Sequence, residues 1–166
     1  IKENVLIFDK ASFIYLCRQD FYYREKQYKR YGFISAMKIE NPGSDILPHE
    51  RTHEGPKKDR FNLISKVHAN LSPIFAVFRD DGDKILDILK SSESKNPDFQ
   101  FVFQGVTHSA WKISDSDPVN GIVKAMADKY ILIADGHHRY EVALKYRDAM
   151  RKYHGNNSGE EPYDYV

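Results

Sequence analysis

A chain of 166 residues, 41% hydrophobic and 30% charged, has the make-up of an ordinary globular domain, neither disordered nor membrane-embedded. Its formal net charge of +1 gives no general attraction for polyanions, so nucleic acid is not expected as a partner of this fragment. Cys17 is the single cysteine, which excludes an internal disulfide; with no signal peptide and no apolar run of membrane-spanning length, a cytoplasmic protein away from membranes is expected.

Ser12–Cys17 reads as a first strand, Arg24–Lys29 as a charged connector and Tyr31–Ile39 as a second strand, together a long hairpin. Asn41-Pro42-Gly43-Ser44 is a turn, followed by a polar stretch from Leu47 to Lys58. Asp59–Asn70 reads as a helix with Phe61, Ile64, Val67 and Leu71 on one face, stopped by Ser72-Pro73. Ile74–Phe78 is a strand, Asp83–Leu89 a helix and Ser91–Pro97 a polar loop. Phe99–Phe103 alternates as a strand, with Ala110–Ile113 as its hairpin partner across a turn at Gly105–His108. Gly121–Lys129 is a helix, Tyr130–Ala134 a buried strand, Glu141–Arg147 a helix, and Asn156–Gly159 a flexible loop. The aromatic content of 13%, mostly Tyr and Phe, favours sheet. The sum is one α+β domain over residues 1–166, a mixed sheet with flanking helices. A start at Ile1 and a strand-like end at Tyr165-Val166 point to a piece of a longer protein.

The densest chemistry lies at Asp135-Gly136-His137-His138-Arg139-Tyr140, between that buried strand and the last helix. A strand, a glycine turn and a helix start present backbone N–H groups at the positive end of a helix. Gly136 permits close approach, Arg139 and one histidine suit a phosphate, and Asp135 suits Mg²⁺ or the orientation of a histidine. The alternative is an Asp135 N-cap beside solvated basic side chains.

His49-Glu50-Arg51-Thr52-His53 has the H-E-x-x-H spacing of a zinc protease helix. Pro48 and Gly55-Pro56 leave room for two helical turns at most, no apolar stripe seats them, and no third ligand follows. The segment is better read with Glu50 as an acid or base and His49 or Arg51 as an anion contact, or else as a solvated loop. Lys57, Lys58 and Arg60, at the start of the predicted Asp59 helix, oppose its dipole and form a second candidate set of phosphate contacts. His108, on the predicted hairpin turn, is a further pocket candidate, whereas Trp111 reads mainly as core. Cys17, inside an apolar strand, reads as inert.

Four stretches occur in order: HERT from His49, KKDRFNLISKVHANLSPIF from Lys57, GVTHSAW from Gly105 and LIADGHHRYEVALKYRD from Leu132. Together they resemble the domain of unknown function 1015 family, from about Ser12 to Val166. The Asp135–Tyr140 turn is also similar to the catalytic turn of the ParB/sulfiredoxin-like fold. That fold serves ParB partition proteins, which bind and hydrolyse CTP, sulfiredoxin, which repairs a sulfinic acid with ATP, and free serine kinases. The resemblance implies a ParB/sulfiredoxin-like fold in which Gly136, His137, His138 and Arg139 hold nucleotide phosphates. Sulfiredoxin's cysteine is replaced here by His137 or His138, and no basic recognition helix of ParB type is present.

The expected function is therefore a nucleotide-binding domain (ATP or ADP, with Mg²⁺ on Asp135) that transfers a phosphoryl group to an unknown small hydroxylated molecule. Glu50 would act as base, with Arg139 and His138 stabilising phosphate charge. A non-catalytic nucleotide- or metabolite-sensing module and a metal-dependent hydrolase are the alternatives.

Overall fold

The structure, a computed structural model, describes residues 9–41, 43–47, 54–94, 96–155 and 160–166, with side chains of the first helix from Lys57 onward. The chain is α+β and divides into two compact units, each built from two separate segments.

The first unit holds residues through Ser35 and Asp80–Ala127. Its sheet consists of β1 (Ile14–Tyr23), β2 (Lys26–Ile34), β5 (Phe99–Phe103) and β6 (Val106–Ile113), antiparallel throughout in the order β2-β1-β6-β5. The connector expected at Arg24–Lys29 is instead a two-residue turn, Arg24-Glu25, with both residues at positive φ (46° and 64°). Such a turn matches the right-handed twist of the flanking strands, so β2 begins at Lys26 and ends at Ile34 rather than running to Ile39. Gln104-Gly105 turns the second hairpin in the same way, at φ 48° and 77°. Thr107 and His108 therefore lie within β6, not in its turn.

Alternation gives this sheet two unlike faces. One carries Ile14, Leu16, Trp111 and Ile113, all buried. Ile85 and Leu89 of α2 (Lys84–Ser91) and Ile122 of α3 (Ser116–Met126) are buried in the same unit. The two helices approach closely at Gly121, where an added Cβ would lie 2.9 Å from Cδ1 of Ile88. Trp111 is core, as expected, and its indole N–H donates to the Ser94 carbonyl at 3.0 Å. The other face is open and aromatic.

The second unit holds Ala36–Arg79 and Asp128–Val166. Its three-stranded sheet, order β3-β7-β4, is mixed: β3 (Ile46–Leu47) runs parallel to β7 (Ile131–Asp135), and β4 (Phe75–Phe78) antiparallel to it. Here α1 (Glu54–Val67) starts five residues earlier than predicted, because Pro56 falls in the first turn, where its missing N–H costs no helical bond. It ends at His68, which takes φ 52° and whose Nδ1 pairs with the Tyr146 hydroxyl at 2.7 Å. Of its predicted stripe Ile64 is buried and Phe61 partly so, whereas Val67 and Leu71 are exposed. The long helix α4 (His137–Tyr153) packs Val142 and Tyr146 with Ile64, and Tyr140 and Ala143 with Ile39, Ile46 and Ile133. The C-terminal residues cross back to the segment after β2: Met37 and Val166 exchange backbone hydrogen bonds at 2.8 and 2.9 Å. A 3₁₀ turn at Pro162–Asp164 precedes this, with buried Asp164 accepting from Arg151 Nε at 2.8 Å.

Candidate functional site

The strand-turn-helix expected around Asp135 is present. Asp135 ends β7, Gly136 stands as N-cap at φ 94°, and His137 opens α4. Gly136, not Asp135, is the cap, so the turn offers no capping side chain to the helix amides. The positive φ explains the residue: a side chain there would be strained. No acidic residue lies in the first turn of α4 itself, and the nearest described carboxylate, Asp135, is engaged by Arg139.

Arg139 arches back over this glycine. Its guanidinium donates to the Asp135 carboxylate through Nη2 and to the Pro73 carbonyl through Nη1. An ideal Cβ on Gly136 would come within 2.8 Å of Arg139 Nε and 2.9 Å of Nη2. The glycine thus has a second reason to be there: it makes room for the arginine. The Arg139 side chain is 26% exposed and that of Asp135 73%, so the pair sits at the surface with the carboxylate outermost. His137 is buried, His138 half-buried.

The rest of α4 is anchored firmly behind the turn. The Tyr140 hydroxyl donates to the Glu40 carbonyl at 3.0 Å and accepts from the Glu40 N–H at 3.1 Å, and burial raises its pKa. Buried Arg147 donates to the Ile39 carbonyl at 2.8 Å and to Asn41 Oδ1 at 2.7 Å. These residues hold the Ile39–Asn41 segment against the helix. Their role was missed in the sequence, where Tyr140 and Arg147 look like ordinary members of the helix pattern.

Lys58 and Arg60 are exposed on α1. With the helix beginning at Glu54, they stand beyond its first turn, which removes the dipole argument for an anion beside them. Lys57 already has a carboxylate, Glu141 of α4, at 2.6 Å. His49, Glu50 and Arg51 lie outside the described residues. His108 belongs to the first unit, in β6, where Nδ1 faces Gln19 Nε2 at 3.1 Å and the ring stacks on Phe101 at 4.9 Å. Burial raises the Cys17 thiol pKa, which fits an unreactive cysteine.

Among the described residues no three His, Cys, Asp or Glu side chains group closely enough to hold a metal ion by themselves. A single exposed carboxylate such as Asp135 suits Mg²⁺ shared with a phosphate, which takes one or two protein carboxylates. A cleft of about 460 Å³ in the first unit is lined by residues including Ile88, Ser92, Lys112 and Asp117, and by none of the candidate residues above. No helix among the described residues is long and apolar enough to cross a membrane.

The profile of a family described as "Protein of unknown function (DUF1015)" matches residues 1–166. No curated protein and no solved structure matches the chain.

Proposed function

The chain belongs to the DUF1015 family, and on that premise we propose that it is a nucleotide-binding domain of ParB/sulfiredoxin-like type, with its phosphate site at the Gly136 turn. The observation that carries this reading is Gly136 at φ 94° opening a 17-residue helix, without a capping side chain or first-turn acid, and with a guanidinium folded over it. Helix amides, an arginine and a glycine that permits close approach are what a phosphate requires. The chemistry proposed is phosphoryl transfer from ATP or ADP to a small hydroxylated acceptor, serine-like in class. His138 and Arg139 would stabilise charge on the phosphate, Asp135 would hold Mg²⁺, and Glu50 would take the acceptor proton.

One feature favours a sensing role as the second reading. Arg139 and Asp135 are engaged with each other, and Arg139 also fastens α4 to the Pro73 carbonyl just before β4. A phosphate that recruits Arg139 must release this latch, so occupancy of the site changes a contact between two elements of the second unit.

Calorimetric titration with ATP, ADP and CTP, with and without Mg²⁺, tests binding; Arg139→Ala is expected to abolish it. Equal affinity in wild type and variant would remove the phosphate role from Arg139. Incubation with nucleotide and free serine or related hydroxy compounds then separates the readings. Phosphorylated acceptor supports transfer, whereas binding without turnover supports sensing.

A further inference from the structure

The first unit has a surface that the reading of the Gly136 turn does not use. Register fixes which side chains share the open face of the four-stranded sheet: odd residues of β1 and β5 and even residues of β2 and β6. One row crosses all four strands as Arg30, Gln19, His108 and Phe101. It is linked side chain to side chain. Arg30 Nε donates to Gln19 Oε1 at 2.7 Å, Gln19 Nε2 meets His108 Nδ1 at 3.1 Å, and the His108 ring lies parallel to Phe101, 1° between planes. The neighbouring row, about 7 Å away at the rise of two strand residues, is aromatic: Phe21 stacks on Tyr28 at 5.9 Å, and Phe103 stands at the β5 end.

These rings are not covered. Phe101 and Phe103 are each 59% exposed and Phe99 49%. The charge contributed by the strands of this face has one sign, and the Asp9 carboxylate from before β1 is taken up by Lys112 and Tyr15. The strand positions of the face carry Lys26, Arg30 and Lys112 and no Asp or Glu. Lys26 lies 5.6 Å from the Tyr28 ring and Arg30 5.9 Å from that of Phe21. Lys112 is already matched by Asp9 at 2.5 Å, which leaves Arg30 and Lys26 as the cations facing a ligand. Net charge spoke against nucleic acid because it sums over the whole chain; strand alternation sorts these charges onto one side.

We propose that this face binds single-stranded nucleic acid, with Phe101 and Tyr28 as stacking platforms and Arg30 and Lys26 as backbone contacts. Flat exposed rings interleaved with cations match a polymer that alternates flat bases with phosphates. A second copy of the chain is a poorer occupant, since a two-fold pairing would bring together two copies of a face whose strands carry cations and no carboxylates. An acidic peptide satisfies the cations but gives the phenylalanine planes nothing to stack on.

The test is fluorescence anisotropy of the intact chain with a labelled oligothymidylate of about 12 nucleotides, the length class one sheet surface accommodates, at low and moderate salt. Binding that weakens with salt is expected. Phe101→Leu, which keeps apolar bulk without a ring, should weaken binding about five- to 150-fold, the loss of one base–aromatic stack. Phe101→Trp should retain it. Unchanged melting of both variants by circular dichroism establishes that the fold is intact. The inference is overturned by absence of binding at low salt, by inorganic polyphosphate competing as well as oligonucleotide with Phe101→Leu behaving as wild type, or by sedimentation showing a dimer that Phe101→Leu dissolves.

Discussion

Replacing Gly136 by alanine perturbs two things that a double-mutant cycle can separate. The first is the backbone, since φ 94° places an L-residue in the left-handed region at a cost of about 1–2 kcal/mol. The second is Arg139, whose guanidinium occupies the space of the new Cβ, 2.8–3.0 Å from it. An arginine tip is the flexible end of a side chain and moves aside, so the cost of the clash is that of the contacts it gives up. Its pairing with the exposed Asp135 carboxylate is worth up to about 1 kcal/mol, and its bond to the Pro73 carbonyl about 1 kcal/mol. Gly136→Ala should therefore cost about 3 kcal/mol and Arg139→Ala about 1.5 kcal/mol. The double variant should cost no more than Gly136→Ala alone, because both routes lose the same arginine contacts. Urea denaturation of the four proteins by circular dichroism gives the cycle. A double variant at the sum of the singles, or a Gly136→Ala protein as stable as wild type, would refute the account of the glycine as a seat for Arg139.

Further expectations concern other parts of the chain. Tyr140→Phe deletes a hydroxyl that satisfies both backbone groups of Glu40 and should cost about 1–2 kcal/mol in the same urea assay. Arg147→Lys keeps the charge but cannot serve the Ile39 carbonyl and Asn41 together, and should cost about 2 kcal/mol, read as a lowered denaturation midpoint. The hydrogen bond to Asp9 pushes the Tyr15 pKa up to about 12. Because the folded value lies above the unfolded value of 10, the stabilisation is fully present below pH 10 and is lost as pH rises toward about 12. Spectrophotometric titration of tyrosinate should show Asp9→Asn moving one tyrosine from the late to the ordinary range.

The legible parts of the fold were those with strong local signals. Phe99–Phe103 alternates and is a strand at those limits, and the glycine between an apolar run and a helical pattern placed the Gly136 turn correctly. The Arg24-Glu25 turn was hidden because positive φ is usually advertised by Gly or Asn, and here the strand pairing imposes it on two charged residues. The start of α1 was hidden behind Gly55-Pro56, which look like a break but fall in a first turn, where proline is tolerated. At the site, the sequence named Asp135 and Arg139 without revealing that they bond to each other, since a spacing of four residues spans the end of a strand and the start of a helix. Pairing across the sheet is also non-local, so the row from Arg30 to Phe101 could not be read from any one segment.

Each unit is assembled from two segments that alternate along the chain, which changes hands after Ser35, after Arg79 and after Ala127. Synthesis therefore delivers the two units in overlapping order. The β1–β2 hairpin leaves the ribosome early but waits for β6 to give β1 its other neighbour. While Asp80–Ala127 is being made, the first half of the second unit, including α1 and β4, is in the nascent chain without β7 or α4 to cover it. Ile64 packs on Val142 and Tyr146, and β4 pairs with β7, so both depend on the Asp128–Val166 segment. A chain stalled after Ala127 would carry both segments of the first unit but only one of the second, with α1 and β4 lacking the helix and strand they pack on and pair with.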